Sequence, residues 1–162
     1  MDENTFWRRD LNLTKDGNYL ASGISVSRPD FVSIRDMKTG KATLEAPEQF
    51  LCFSDDGKRV ATSAKNKEVL KIREVTSGNV IQSAQVKDKI KGYWLGIGCA
   101  RFTPDGKSLF TEGQNAGQTV QWEIPSLEHS EPVEDGAFNI EISRDGKLLA
   151  QICIRVVSGI NA

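Results

Sequence analysis

The residues able to do chemistry are few, and their contexts are informative. The single histidine, His129, sits in SLEHSEP (126–132), a polar, turn-like segment. A Ser-His-Asp arrangement would need it as base, yet no serine lies in a strand-to-helix nucleophile turn. It reads as a solvated surface histidine. The cysteines, Cys52, Cys99 and Cys153, lie far apart in apolar, strand-like runs. They lack the close spacing of metal ligands and read as buried, reduced thiols. GIGCAR (96–101) opens like a dinucleotide loop but lacks the third glycine and leads into a strand. Asn12-Leu13-Thr14 spells a glycosylation sequon on a strand and is discounted. Four aspartates, Asp16, Asp56, Asp105 and Asp145, recur and invite a carboxylate-site reading. Each immediately precedes a glycine, which marks a turn former instead. No catalytic, metal or cofactor site is expected.

The aspartates lead to the elements around them. LTKDGNYLASG, FSDDGKRVATS, FTPDGKSLFTEG and ISRDGKLLAQI share one pattern. Their turn glycines, Gly17, Gly57, Gly106 and Gly146, are separated by 40, 49 and 40 residues. A period near 40 signals a repeat architecture. The longer interval holds an insertion, visible in KDKIKGYWLGIG (87–98).

Within each unit, apolar residues alternate before the turn, as in Leu11/Leu13, Leu51/Phe53, Ala100/Phe102 and Ile140/Ile142. That is the period of a strand. A second apolar run follows the Asp-Gly turn. Third strands are expected at FVSIRDM (31–37), VLKIREV (69–75) and TVQWEI (119–124). Glycine-bearing turns then lead to ATLEA and VIQSA. No stretch shows a convincing helical period. Each unit is therefore expected to be a four-stranded antiparallel meander. One such sheet cannot bury both faces alone, and radial stacking of the sheets makes a propeller.

These residues resemble the WD40 repeat and related bacterial propellers. The first hairpin is carried by FSDDGKRVAT, FTPDGKSLFT and ISRDGKLLA, and the third strand with its turn by IRDMKTGK and IREVTSGN. QWEI (121–124) keeps a Trp before an acid. The resemblance implies an all-β, partial β-propeller, a single segment over 1–162. Its blades run approximately 10–46, 47–86, 97–135 and an incomplete 137–162, with an insertion at 87–96. WD40 blades usually carry a Gly-His pair whose His joins a buried Asp, a Ser/Thr and the Trp. With no Gly-His pair here, that network is expected to be absent. About three and a half blades leave three readings open: a piece of a longer protein, pairing with another chain or a second copy through the open blade edge, or a truncated product. Residues 3–8 are a candidate outer strand for another blade.

Bulk composition narrows the partner class. A net charge of −1 gives no global basic field for nucleic acid. Residues 64–92 carry seven Lys and Arg against three acids, and 112–136 carry six acids and no Lys or Arg. These are either two solvated faces or a bipolar contact surface. No apolar run is long enough to span a membrane, and the N-terminus has no signal-peptide pattern; a cytoplasmic location is expected. The resemblance implies that loops opposite the Asp-Gly turns bind a protein partner. Arg28, Lys65, Lys67, Lys87, Lys89, Lys91, Tyr93 and Trp94 are the candidates, because aromatics beside cations make interface anchors. The expected function is a non-catalytic protein-interaction scaffold. The alternative is an accessory or substrate-gating propeller portion of an enzyme whose catalytic part lies elsewhere.

Overall fold

The computed structural model describes residues 8–25, 31–64, 68–86, 96–113, 118–130, 133–134 and 137–153. Among them are fourteen strands and no helix. The first sheet is a meander of β1 (Arg8–Leu13), β2 (Tyr19–Ser25), β3 (Phe31–Asp36) and β4 (Ala42–Ala46). The second has β5 (Gln49–Phe53), β6 (Arg59–Ala64), β7 (Val69–Glu74) and β8 (Val80–Gln85). The third has β9 (Ile97–Phe102), β10 (Ser108–Gly113), β11 (Gln118–Glu123) and a two-residue β12 (Val133–Glu134). A fourth sheet pairs β13 (Ala137–Ile142) with β14 (Leu149–Cys153). The chain is an all-β partial propeller of four-stranded antiparallel blades. Residues 3–7 of the candidate outer strand lie outside the described residues.

The repeat extends to single hydrogen bonds. At each first hairpin the turn glycine has φ between 67° and 73°, which glycine adopts without a Cβ clash. The preceding aspartate accepts from a Ser or Thr hydroxyl two residues before it: Thr14, Ser54, Thr103 and Ser143, at 2.6–2.7 Å. It also accepts from the amide two residues after it. The same hydroxyl oxygen accepts the amide five residues after it, that of Tyr19, Arg59, Ser108 or Leu148. The turn is thereby closed by its own neighbours, as in an Asx turn.

The turn after the third strand repeats too, with one substitution. Gly40 and Gly78, at φ 72° and 70°, donate their amides to Asp36 and Glu74 carbonyls. In the third blade Leu127 donates to Glu123 and takes φ 54°. A side chain in this left-handed region is strained. Leu127 is nevertheless buried, in the core between the second and third blades, and that burial offsets the strain.

The cores lie between sheets. Ala21, Val32, Ile34, Leu44 and Ala46 of the first blade pack against Val60 and Val75 of the second. Leu51, Cys52, Ala61, Leu70, Ile72, Ala84 and Val86 of the second meet Ile97, Ala100, Phe102, Leu109, Val120, Trp122 and Leu127 of the third. A middle blade is thus packed by a neighbour on each face.

The third blade carries a polar residue at an apolar position of the repeat, as its shorter spacing before Trp122-Glu123 implies. Gln121 stands where Ile34 and Ile72 stand, and Trp122 where Arg35 and Arg73 stand. Trp122 is fully buried against the second blade. Its indole N–H donates to Thr111 Oγ1 at 2.8 Å. The Trp-to-hydroxyl link of the expected-absent network is therefore present, although no histidine anchors it. His129 is not fully solvated either. It is half-buried, pairs with Trp122 in an isolated bridge, and tilts over the indole with ring centroids 5.4 Å apart.

Candidate functional site

The eight sequence-predicted partner residues, Arg28, Lys65, Lys67, Lys87, Lys89, Lys91, Tyr93 and Trp94, lie outside the described residues. The described chemistry lies in three places: the turn end, a buried carboxylate between blades, and a cleft beside the inner strands.

At the turn end, Asp16, Asp56, Asp105 and Asp145 are held below the ordinary aspartate range. For Asp16 and Asp145 the Thr14 and Ser143 hydroxyls are the main cause, and for Asp105 the Lys107 amide is. For Asp56, burial pushes upward and the Ser54 hydroxyl and Lys58 amide outweigh it. These carboxylates are ionised acceptors, each engaged by its own turn. Their sequence reading as turn formers matches their geometry.

The buried carboxylate is Glu48, in the connection from β4 to β5 and only 4% exposed. Its oxygens accept from the Thr62 hydroxyl at 2.7 Å, Lys71 Nζ at 2.5 Å, and Arg73 Nε and Nη2 at 3.1 and 2.7 Å. Burial raises its pKa, and Arg73, Lys71 and Thr62 more than reverse that, so it is held below the usual glutamate range. Arg73 Nη1 also donates to the Gly78 carbonyl at 2.7 Å. Sequence reasoning missed this cluster. The signal was available: Lys71 and Arg73 share one face of a strand that stacking partly buries, and two half-buried cations side by side favour an anion.

The cleft, of about 210 Å³, is lined by Asn12, Leu13 and Lys15 of the first blade, Phe50–Asp55 of the second and Arg101 of the third. Its charged groups are already engaged. Lys15 bonds Asp55 at 2.5 Å. Arg101 Nη2 bonds Glu141 at 2.9 Å, with Nε at 3.4 Å from the other oxygen. Both pairs join equivalent elements of adjacent blades, forty residues apart. The volume is below the ~300–1,000 Å³ of typical small-molecule pockets, and Phe50 and Phe53 pack edge-to-face on one side.

The thiols are unsuited to nucleophilic work. Burial pushes both Cys52 and Cys99 up to about 12, so each is protonated at neutral pH. Cys99 Sγ donates to Glu112 at 3.0 Å. The side chain of Cys153 is outside the described residues. Among the described residues no group of His, Cys, Asp and Glu is arranged to hold a metal ion, and no helix is long and apolar enough to cross a membrane.

No family model and no curated protein matches the chain. Solved structures do. Hydrazine synthase of Kuenenia stuttgartiensis aligns with a TM-score of 0.68 at 20% identity, over 91% of this chain and 42% of that one. The Cps50 (Swd1) β-propeller domain of Myceliophteria thermophila aligns at 0.66 and 11% identity, over 92% and 52%. A putative 6-phosphogluconolactonase of Bacteroides fragilis aligns at 0.65 and 17% identity, over 94% and 50%. At these identities the likeness shows the propeller fold alone. The chain spans about half the length of each of these structures.

Proposed function

We propose that this chain is a WD40-like propeller segment that works as a rigid, non-catalytic scaffold for protein interaction, in the cytoplasm. The observation that carries this reading is the use of its charged groups. The turn aspartates close turns, Glu48 with Lys71 and Arg73 pins the connection entering the second blade, and Lys15 with Asp55 and Arg101 with Glu141 bind blade to blade. Such a frame fixes the strands from which the connecting segments leave, and a rigid frame lowers the ordering cost of binding. Lys87, Lys89, Lys91, Tyr93 and Trp94 are the proposed anchors, with Arg28, Lys65 and Lys67 on neighbouring connections.

The test compares the wild-type chain with a variant carrying Ala at Lys87, Lys89, Lys91, Tyr93 and Trp94 in quantitative affinity capture from the native host. One protein, captured stoichiometrically and lost at least about tenfold in a variant with unchanged circular dichroism, supports the reading. Identical capture by both chains overturns it. A second reading, a propeller portion of an enzyme, is favoured by two of the structural neighbours bearing enzyme names. It predicts that the same substitutions change turnover by the enzyme, with no effect on capture of a separate protein.

A further inference from the structure

The outer edges of the first three blades are not guarded alike. The fourth strand of each closes its sheet, so one side of that strand has no partner strand. Such an edge is a template for pairing with another chain, and proteins blunt it with charge, proline or short length. In the first blade β4 carries Glu45, ion-paired with Arg35 at 3.3 Å, and is followed by Pro47, which has no amide to donate. In the third, β12 is two residues long and ends on an acid.

β8 of the second blade has none of these guards. Counting from the equivalent pairs Ile34–Leu44 and Ile72–Gln82, Ser83 stands in the place of Glu45 and Gln85 in the place of Pro47. Residues 75–86 hold no charged side chain, in a chain that is 27% charged. The Val86 amide donates to the Glu68 carbonyl at 2.8 Å. Alternation along the antiparallel ladder then turns the amides and carbonyls of Ser83 and Gln85 away from β7. Ser83 and Gln85 are exposed, and Val80 and Ile81 beside them are 45% and 49% exposed. Both faces of this blade are packed by neighbours, while its outer edge is open.

We propose that this edge pairs with the same edge of a second copy, β8 against β8, antiparallel, about a two-fold axis near Ser83. A strand without charge offers nothing to a charged partner, and two such strands meet without like-charge repulsion. The contact uses the outward main-chain groups of Ser83 and Gln85, as in β-strand addition, and covers Val80 and Ile81. The second blades of the two copies join into one continuous sheet. The contact is isologous and consumes the edge on both copies, so assembly stops at two. A six-residue edge is small beside the ~1,200–2,000 Å² of a standard interface, so the dimer is reversible and concentration-dependent.

The experiment is size-exclusion chromatography with light scattering on the 162-residue chain over a concentration series, with amide exchange measured at its two ends. A shift from 17.9 kDa toward twice that mass is expected, with exchange at Ser83 and Gln85 slowing as concentration rises. Ser83→Glu/Gln85→Pro places the first blade's own residues at the equivalent positions. It keeps the circular dichroism of wild type and weakens the dimer at least about tenfold. Ser83→Glu and Ser83→Lys are each monomeric alone, and their mixture dimerises, because the two-fold axis sets the two charges side by side. A dimer that withstands Ser83→Glu/Gln85→Pro, a mixture that stays monomeric, or a ladder of larger oligomers overturns the proposal. A wild-type monomer at every concentration also overturns it, and leaves the edge to an extended strand of another protein.

Discussion

Replacing Glu48 tests whether the buried carboxylate pins the entry of the second blade onto β6 and β7. Its removal by Glu48→Ala leaves Lys71 and Arg73 side by side, 25% and 11% exposed, without their counter-charge. Breaking a buried ion pair from one side costs about 3–5 kcal/mol, because the remaining charge is left desolvated. Lys71 retains access to water, so the expected loss lies near the lower end, about 3 kcal/mol. Glu48→Gln keeps the volume and one acceptor oxygen and should lose about 1.5–2 kcal/mol, the worth of charge-assisted hydrogen bonds. Replacing Glu48, Lys71 and Arg73 together by Leu, Val and Leu should recover much of the loss, since apolar groups of similar volume need no solvation. The assay is equilibrium urea unfolding at fixed protein concentration. With a slope of about 1.5–2 kcal/mol/M, Glu48→Ala moves the midpoint down by about 1.5–2 M. The pH dependence has a definite sign. The folded carboxyl is held below its unfolded value, so its contribution is fully present above the unfolded pKa and is lost as pH falls through the folded one. The wild-type midpoint should therefore drop on acidification below about pH 4.5, and that drop should be smaller in Glu48→Gln. A Glu48→Ala midpoint within about 0.3 M of wild type, with unchanged slope, would refute the account.

Gly17→Ala and Gly78→Ala separate backbone strain from collision. Both glycines have φ near 70°, but an added Cβ meets nothing at Gly17 and lies 2.3 Å from the Thr43 carbonyl oxygen at Gly78. Gly17→Ala should cost about 1–2 kcal/mol and Gly78→Ala clearly more, ranked by urea midpoint. At Leu127 the usual order of alanine over glycine should invert. Leu127→Gly relieves the positive φ while Leu127→Ala keeps it, so the glycine variant is the more stable by about 1 kcal/mol, although both fall below wild type. Trp122→Phe removes the indole donor to Thr111 and should cost about 1–2 kcal/mol, read as a lowered melting temperature. Carboxyl NMR titration should find Asp16, Asp36, Asp105 and Asp145 all titrating below ordinary aspartates, and Thr103→Ala should move Asp105 back up.

Much of the frame was legible in order of residues alone. Asp followed by Gly needs only its own neighbours to close a turn, so four repeats of it announced four hairpins. Period-two alternation then gave the strands, and the forty-residue interval gave the stacking. These are local rules, and a sequence states local rules directly. Three features were decided only in three dimensions. Glu48 reads as a loop residue in APEQF until β7 brings Lys71 and Arg73 to it from more than twenty residues away. Leu127 occupies a glycine's conformation because the core between two blades holds its side chain, a constraint its neighbours in the chain do not contain. His129 and Trp122 meet because β11 and the returning segment pair at that one bridge. In each case the deciding partner lies on another strand or another blade, and only packing brings it within reach.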